Sequence, residues 1–147
     1  RWVPRASVQT LASAMDVGDP SNMERLRYLF DDDELRERFS ASFVDDEAIR
    51  RQIVHDDRER GQVFCPHTAT AMHAYDHHLS AADREGRHFV IVATAHPAKF
   101  ETIVEPLIGE TVPLPAELAD ILSRPSRAVS IGPDLESVAA AMDEHFH

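Results

Sequence analysis

Residues 88–100 read HFVIVATAHPAKF, and this segment gives the clearest indication of the fold class. Its run of apolar, mostly β-branched residues at 89–93 is typical of a strand buried on both faces of a parallel sheet. The residues that follow, Thr94, Ala95 and His96, introduce a hydroxyl and an imidazole. Because ligands of open α/β sheets bind beyond the carboxyl ends of the strands, we predict that these three residues lie beside a ligand.

The remaining sequence predicts mostly helices. Weaker strands are expected at residues 8–11 and 127–131, and Ser21 with Glu24 has the spacing of a capping box for a helix from residue 23. Further helices are predicted at 34–42, 47–59, 66–82, 97–108, 116–123 and 134–146, with Gly61 and Gly109 as C-terminal signals and Asp134 as an N-cap. The charged residues of the second and third helices are expected on solvated outer faces. The predicted fold class is α/β, a helix-rich chain with a small, mostly parallel sheet.

Composition restricts the function. A length of 147 residues suits one domain, and the formal net charge of −11 argues against a nucleic-acid-binding surface. No apolar run approaches the roughly 20 residues of a membrane-spanning helix, so no membrane partner is expected. Cys65 is the only cysteine, which excludes an internal disulfide, and no secretory signal pattern is present. We therefore expect a cytoplasmic protein.

Three segments resemble one enzyme family. Residues 94–100 (TAHPAKF), 14–25 (AMDVGDPSNMER) and 66–69 (PHTA) are similar to motifs of threonine synthase, and their order and separations also fit. The resemblance covers nearly the whole chain. It implies the tryptophan-synthase-β-like fold, which is fold type II of the pyridoxal-phosphate enzymes. It also implies that residues 1–147 are one C-terminal segment of a longer protein, as the absence of an initiator Met suggests.

The resemblance implies a lyase of threonine biosynthesis that converts O-phospho-L-homoserine and water to L-threonine and phosphate. Pyridoxal phosphate acts in such enzymes as an electron sink. The family's Schiff-base lysine and its glycine-rich phosphate loop lie upstream of the matched segments, so no catalytic residue is assigned here and the isolated chain is expected to be inactive. Lys99, the only lysine, is not proposed as the Schiff-base residue. Either a monomer or a homodimer is compatible with the sequence.

By the resemblance, Thr94 corresponds to the hydroxyl partner of the cofactor's pyridine nitrogen, and Ala95 lies beside it. A neutral hydroxyl can donate to an unprotonated nitrogen, whereas an aspartate would keep that nitrogen protonated. The alternative is that Thr94 only ends a strand with a local hydroxyl–backbone hydrogen bond. His96 is placed near the active site, where its imidazole either orients a ligand or anchors the turn.

Ser21, Asn22 and Arg25 form a second candidate for the substrate side of the site. A helix N-terminus presents free amides to an anion, and Arg25 can add a bidentate contact. Ordinary capping by Ser21 and Glu24 is the alternative.

Two other functions stay open. The chain could be a non-catalytic folding or subunit-contact module. His73 and His77 have the i, i+4 spacing of a metal-binding pair, which would suit a small metal-dependent hydrolase, although Ala74 occupies the place of that motif's glutamate. His67 and Thr68 match the family's Pro-His-Thr-Ala element in either a structural or a functional role. Cys65 stands where many members have Asp, so the following helix lacks a strong cap.

Overall fold

All regular structure in the described part of the chain is helical. The computed structural model describes residues 4–126 and 128–146. The chain divides into two compact units, Arg1–Pro113 and Leu114–His147. The α-helices are α1 (Met23–Leu29), α2 (Asp32–Arg38), α3 (Asp46–Arg60), α4 (Pro66–His77), α5 (Ala81–Arg84), α6 (Glu101–Ile108), α7 (Ala116–Ser123) and α8 (Leu135–Phe146), with 3₁₀ turns at Ser13–Met15 and Pro97–Phe100.

The predicted α/β class with a small parallel sheet is wrong for this structure. No strand occurs at residues 8–11, 88–94 or 128–131, and Arg127 lies outside the described residues. The expected buried run is open to solvent, since Val90 is 88% exposed and Val92 is 67% exposed. The physical reason is that a strand requires a neighbouring strand for its N–H and C=O groups. Among the described residues, none hydrogen-bonds to the backbone of residues 88–95.

Local signals account for most helix ends. Asp31 and Glu34 form a capping box at α2, and Ser80 and Asp83 form one at α5. The predicted box at Ser21 and Glu24 is wrong, because Asn22 is the N-cap of α1 and makes no side-chain capping bond. Gly61 ends α3 with a φ of 61°, a left-handed conformation that glycine adopts without a Cβ clash.

Several predicted helices differ in length from the observed ones. α2 ends at Arg38 rather than near residue 42, and α4 ends at His77 rather than near residue 82. The Ser80 capping box begins a new helix there, which separates α5 from α4. The predicted helix at 97–108 starts as a 3₁₀ turn before continuing as α6. The prediction for 116–123 is confirmed as α7, and α3 differs from its prediction by one residue at each end.

The core of the first unit lies where α3 packs against α4 and α6. Ile49 and Ile53 of α3 are fully buried, as are Ala69 of α4 and Val104 of α6. Burying a branched aliphatic side chain contributes roughly 1.5–3 kcal/mol, so these few residues supply much of the unit's stability. This helix trio is the frame on which the candidate site is built.

The second unit contains α7 and α8. The Asp134 carboxylate accepts a hydrogen bond from the Ser137 backbone N–H at 2.8 Å, so the predicted cap of the terminal helix is confirmed. Large apolar side chains of both helices are exposed, including Ile121, Leu122, Leu135 and Met142. In the part of the chain that the structure describes, no helix is both long and apolar enough to cross a membrane.

The core predicts a contrast between neighbouring positions of α3. Because Ile53 is completely buried and Val54 is only partly buried, Ile53→Ala should lower the free energy of unfolding by about 3 kcal/mol, whereas Val54→Ala should cost about 1 kcal/mol or less. Urea unfolding of both variants, followed by circular dichroism, measures the difference. Equal losses would contradict the assigned packing of α3.

Candidate functional site

The turn formed by Thr94, Ala95 and His96 lies on the surface. Thr94 and His96 are exposed, and Ala95 is half-buried. No described residue hydrogen-bonds to the Thr94 hydroxyl, so the local hydroxyl–backbone bond considered for a strand end is not formed. Nδ1 of His96 accepts a hydrogen bond from the Ala98 backbone N–H at 3.2 Å and caps the Pro97–Phe100 turn. The His96 ring therefore anchors the turn.

The hydrogen bond to His96 also determines which proton the neutral ring carries. Since Nδ1 accepts from Ala98, the neutral imidazole carries its proton on Nε2. The exposed turn therefore offers two donors, the Thr94 hydroxyl and the His96 Nε2–H. Donors suit ligands that present acceptors, such as a pyridine nitrogen, a carboxylate or a phosphate.

Two aromatic contacts fasten the segment before and after this turn to α4. The Phe89 ring meets the Tyr75 ring edge-on, with 5.4 Å between their centroids. The Phe100 ring is tilted against the His67 imidazole, with 5.0 Å between centroids. The extended segment is thus held at both ends by one helix, while its middle, with Val90 and Val92, stays exposed.

His67 also holds the N-terminal segment. Its side chain is buried, and its Nε2 accepts a hydrogen bond from the Ala14 backbone N–H at 3.0 Å. Burial lowers the pKa of His67, and the negative charge of Asp16 opposes this shift only in part. Thr68 is buried as well, so both residues of the Pro-His-Thr-Ala element have structural contacts. Sequence reasoning left the role of His67 open because its partners lie 53 and 33 positions away along the chain.

The N-terminal segment is fastened by carboxylates. Asp16 accepts hydrogen bonds from the backbone N–H of Thr10 at 2.6 Å and from its hydroxyl at 2.7 Å. Asp46, at the start of α3, accepts from the Leu11 backbone N–H at 2.9 Å. Gly18 is buried, and a Cβ there would lie 1.8 Å from the Arg5 carbonyl oxygen, so no larger residue fits without a backbone shift.

The second candidate group, Ser21, Asn22 and Arg25, is exposed at the start of α1. No described contact joins these residues to the Thr94 turn. Ser21 lines a pocket together with Asp19, Glu24 and Arg27, and two carboxylates against one guanidinium leave this pocket with a net negative charge that disfavours an anion. The assignment of these three residues to the substrate side stays a prediction.

A buried ionic network joins α3 to α4, and sequence reasoning missed it. Asp56 was expected on a solvated face, but its side chain is 0% exposed. The Arg60 guanidinium binds both Asp56 and Asp76, and the Gln52 amide donates to Asp56 at 3.0 Å and to Asp76 at 2.8 Å. The i, i+4 spacing of Gln52, Asp56 and Arg60 was the available signal, but this spacing is equally common on exposed faces.

The network shifts the pKa values of its two carboxyl groups in opposite directions. Burial raises the pKa of Asp56 despite the hydrogen bonds from Gln52 and Arg60, and its Oδ2 has no hydrogen-bond partner among the described residues. Burial also tends to raise the pKa of Asp76. The hydrogen bonds from Gln52 and Arg60, together with the positive charge of Arg60, outweigh burial and hold this pKa below the usual range. Arg60 is therefore the cation that keeps Asp76 ionised beside a buried acid.

Two groups have the residue types of a metal site. His55, Asp56 and Asp76 each place one possible ligand atom within 4.8 Å of the others, but the Arg60 guanidinium already binds both carboxylates. A divalent cation there would add charge beside a bound guanidinium. His73 and His77 share one face of α4 with 4.3 Å between ring centroids. Burial lowers the pKa of His73, with further lowering from His77, His78 and Arg51 and opposition from Asp45, so the neutral form of this ring is favoured.

Three further residues that the sequence analysis considered have ordinary structural environments. Cys65 is the N-cap of α4 without a side-chain capping bond, and its sulfur lies 3.4 Å from the Thr68 hydroxyl. Pro66 occupies the first turn of α4, where its missing N–H has no helical partner to lose. Lys99 is exposed in the Pro97–Phe100 turn.

Comparison with known proteins assigns the family. The family described as "Threonine synthase, C-terminal" matches residues 68–142. The threonine synthase of Escherichia coli strain K12 is 35% identical over 147 residues, which cover 99% of this chain and 33% of that protein. A crystal structure of Escherichia coli threonine synthase superposes with a TM-score of 0.78 at 32% identity, covering 99% of this chain and 33% of that one.

A structure of pyridoxal-phosphate-bound threonine synthase from Brucella melitensis superposes with a TM-score of 0.80, covering 97% of this chain and 35% of that one. At 24% identity, this match supports the fold alone. The fold thus matches about a third of a longer threonine synthase chain. The chain belongs to the threonine synthase C-terminal family. It spans about a third of the length of the curated relatives that it matches.

The ionic network predicts a pH-dependent loss of stability. Replacing Arg60 with Met keeps the aliphatic stem but leaves two carboxylates without their cation. The free energy of unfolding should therefore fall by about 2 kcal/mol at pH 7. This loss is smaller than for a fully buried ion pair, because Arg60 is partly exposed. The depressed pKa of Asp76 contributes stability above its unfolded value of 3.8, and this contribution is lost as the pH falls through the lower folded value. The difference between parent and variant should therefore shrink toward pH 3.

Urea unfolding at pH 7, 5 and 3 measures this change. Arg58→Met, on the exposed side of the same helix, is the matched control and should have little effect at any of these values. A loss that stays constant over the pH range would contradict the assigned role of Arg60.

Proposed function

We propose that this chain is the C-terminal part of a pyridoxal-phosphate-dependent threonine synthase, which converts O-phospho-L-homoserine and water to L-threonine and phosphate. The observation that carries the proposal is the exposed turn whose Thr94 hydroxyl binds no described residue, in a chain of the threonine synthase C-terminal family. We place the parent enzyme in the cytoplasm, as a monomer or a homodimer. Residues 1–147 are taken as one C-terminal segment of that enzyme.

The residues of the turn suit the cofactor's acceptor groups. When bound, pyridoxal phosphate supplies an electron sink for carbanions formed on the substrate. Thr94 would donate a hydrogen bond from its hydroxyl to the pyridine nitrogen, which would stay unprotonated and uncharged, and Ala95 would lie beside it. His96 keeps the turn in place through Ala98 and directs its Nε2–H outward, toward an acceptor on the cofactor or the substrate.

Ser21, Asn22 and Arg25 are proposed for the substrate side with less structural support, because two carboxylates lie in the pocket that Ser21 lines. The cofactor-anchoring lysine and the phosphate-binding loop are assigned to the part of the enzyme outside this chain. The exposed apolar residues Val90 and Val92 favour the second candidate, a folding or subunit-contact module without chemistry.

Substitution of Thr94 in the full-length enzyme distinguishes these two functions. Thr94→Val removes the donor and keeps the size of the side chain, so kcat should fall by about 10-fold to 100-fold, the effect of losing one hydrogen bond to a charged or reacting group. Thr94→Ser should retain most of the activity. Thr102→Val, at an exposed threonine of α6, is the matched control. Unchanged kinetics in Thr94→Val would remove Thr94 from the site and leave the contact-module function.

The assignment of the anchor to another part of the enzyme predicts the behaviour of Lys99. Incubating the 147-residue chain with pyridoxal phosphate and then borohydride should give no specific labelling of Lys99, because an exposed lysine outside a binding pocket reacts only weakly and non-selectively. Peptide mass spectrometry measures the labelling, and the full-length enzyme serves as the positive control. Stoichiometric labelling of Lys99 at low cofactor concentration would contradict the proposal.

A further inference from the structure

His67 joins two segments that are far apart in sequence. On one side its Nε2 accepts a hydrogen bond from the backbone N–H of Ala14, the middle residue of the Ser13–Met15 turn, at 3.0 Å. On the other side its ring lies against the ring of Phe100, the last residue of the Pro97–Phe100 turn. The imidazole is only 5% exposed, so both contacts are shielded from water.

The hydrogen bond from Ala14 determines the state of the ring. Nε2 must keep its lone pair to accept this bond, so the neutral imidazole carries its proton on Nδ1. Nδ1 is buried and has no hydrogen-bond partner among the described residues. A second proton would have to go onto Nε2, where it would point directly at the Ala14 N–H. Protonation and the Ala14 contact therefore exclude each other.

Charged groups near the ring do not remove this conflict. Asp16, on the N-terminal side, is the charged group whose field favours the protonated ring, but its carboxylate already binds Thr10. At the N-terminus of α4, the Cys65 thiol forms a hydrogen bond with the Thr68 hydroxyl. Across from the ring, the Pro97–Phe100 turn carries Lys99 and is preceded by His96, and both of these side chains are exposed.

We propose that His67 is a positioning residue for the turn of Thr94, Ala95 and His96, and that its protonation releases the N-terminal segment from that turn. The inference rests on the proposed function, because the position of the turn affects chemistry only if the turn faces the cofactor. Neutral His67 holds Ala14 and Phe100 against one ring, and Phe100 ends the 3₁₀ turn that His96 caps. Protonated His67 loses the acceptor for Ala14 and leaves the turn supported from one side.

The sign of the pH dependence follows from burial. The folded pKa of His67 lies below its usual value of 6.5, so the unfolded chain binds this proton more readily than the folded chain does. The stabilisation by neutral His67 is complete above pH 6.5, weakens as the pH falls below that value, and is lost once the pH passes the folded pKa.

Nuclear magnetic resonance of the ¹⁵N-labelled 147-residue chain tests the proposal without any cofactor. Long-range ¹H–¹⁵N spectra should show the Nδ1–H tautomer of His67 near pH 8. As the pH is lowered to 4, the amide resonances of Ala14, Thr94 and Ala95 should move with the midpoint of the His67 ring. The proposal would be overturned by an Nε2–H tautomer, or by amide resonances whose pH dependence does not share the midpoint of the His67 ring.

Paired variants separate His67 from the nearby His96. In His67→Gln, a side-chain oxygen can still accept from Ala14 but cannot titrate, so the part of the Thr94 and Ala95 shifts that belongs to His67 should disappear. In His67→Phe the acceptor is lost, and the Ala14 amide should exchange with solvent about fivefold faster, as expected for one net hydrogen bond. His77→Gln, an exposed histidine of the same helix, is the control and should leave the titration unchanged.

The failure of this proposal and the failure of the proposed function give different results. Unchanged kinetics in Thr94→Val would remove the cofactor assignment and leave the titration of His67 intact. If the amide resonances of Thr94 and Ala95 kept their full pH-dependent shifts in His67→Gln, the positioning role would be contradicted. The cofactor assignment would then remain intact. Where neither His67 variant folds, the tautomer and the shared midpoint in the parent chain still decide the proposal.

Discussion

The packing of α3 against α4 is the constraint on which the first unit depends. Ile49 and Ile53 are buried at this contact, and the adjoining face of α3 carries Asp56, which forms an ion pair with the Arg60 that it shares with Asp76 of α4. Apolar burial supplies the larger part of the stabilisation. The ionic network determines how the two helices align, because any other alignment would leave a buried charge without its partner. The other segments of the unit attach to this pair. The N-terminal segment meets α3 through Asp46 and α4 through His67, and the segment around Thr94 meets α4 at both of its ends.

This arrangement explains why an exposed, extended segment can carry a functional turn. A free loop would lose its geometry, but Phe89 and Phe100 are held by Tyr75 and His67, which are eight residues apart on one helix. Such a spacing places the two rings about two helical turns apart on nearby faces. Between them, Val90, Val92 and Thr94 have exposed side chains, and the backbone of residues 88–95 has no hydrogen-bond partner among the described residues. The segment is thus prepared for further contacts while its ends are already anchored.

The sequence allowed the helices to be predicted where the cause is local. Pro66 begins a helix, Gly61 and Gly109 end helices with positive φ, and Asp134 caps one, since each effect involves residues within a few positions. The strand at 88–94 could not be predicted correctly in this way, because strand formation depends on a partner that the local pattern does not contain. The prediction that Asp56 lies on a solvated face was wrong for a related reason. Its i, i+4 pairing with Arg60 is readable, but its burial depends on Asp76 from another helix.

Two histidines of this chain show how burial separates roles that the sequence cannot separate. His67 and His96 each accept a backbone N–H at one ring nitrogen, from Ala14 and from Ala98. In His96 the other nitrogen belongs to an exposed ring and can donate to a ligand. In His67 the other nitrogen is buried and has no hydrogen-bond partner among the described residues, so the ring offers no donor to a ligand outside and acts through the two segments it holds. A residue of the second kind affects a site through geometry, and its sensitivity to pH comes from the contact that a proton removes.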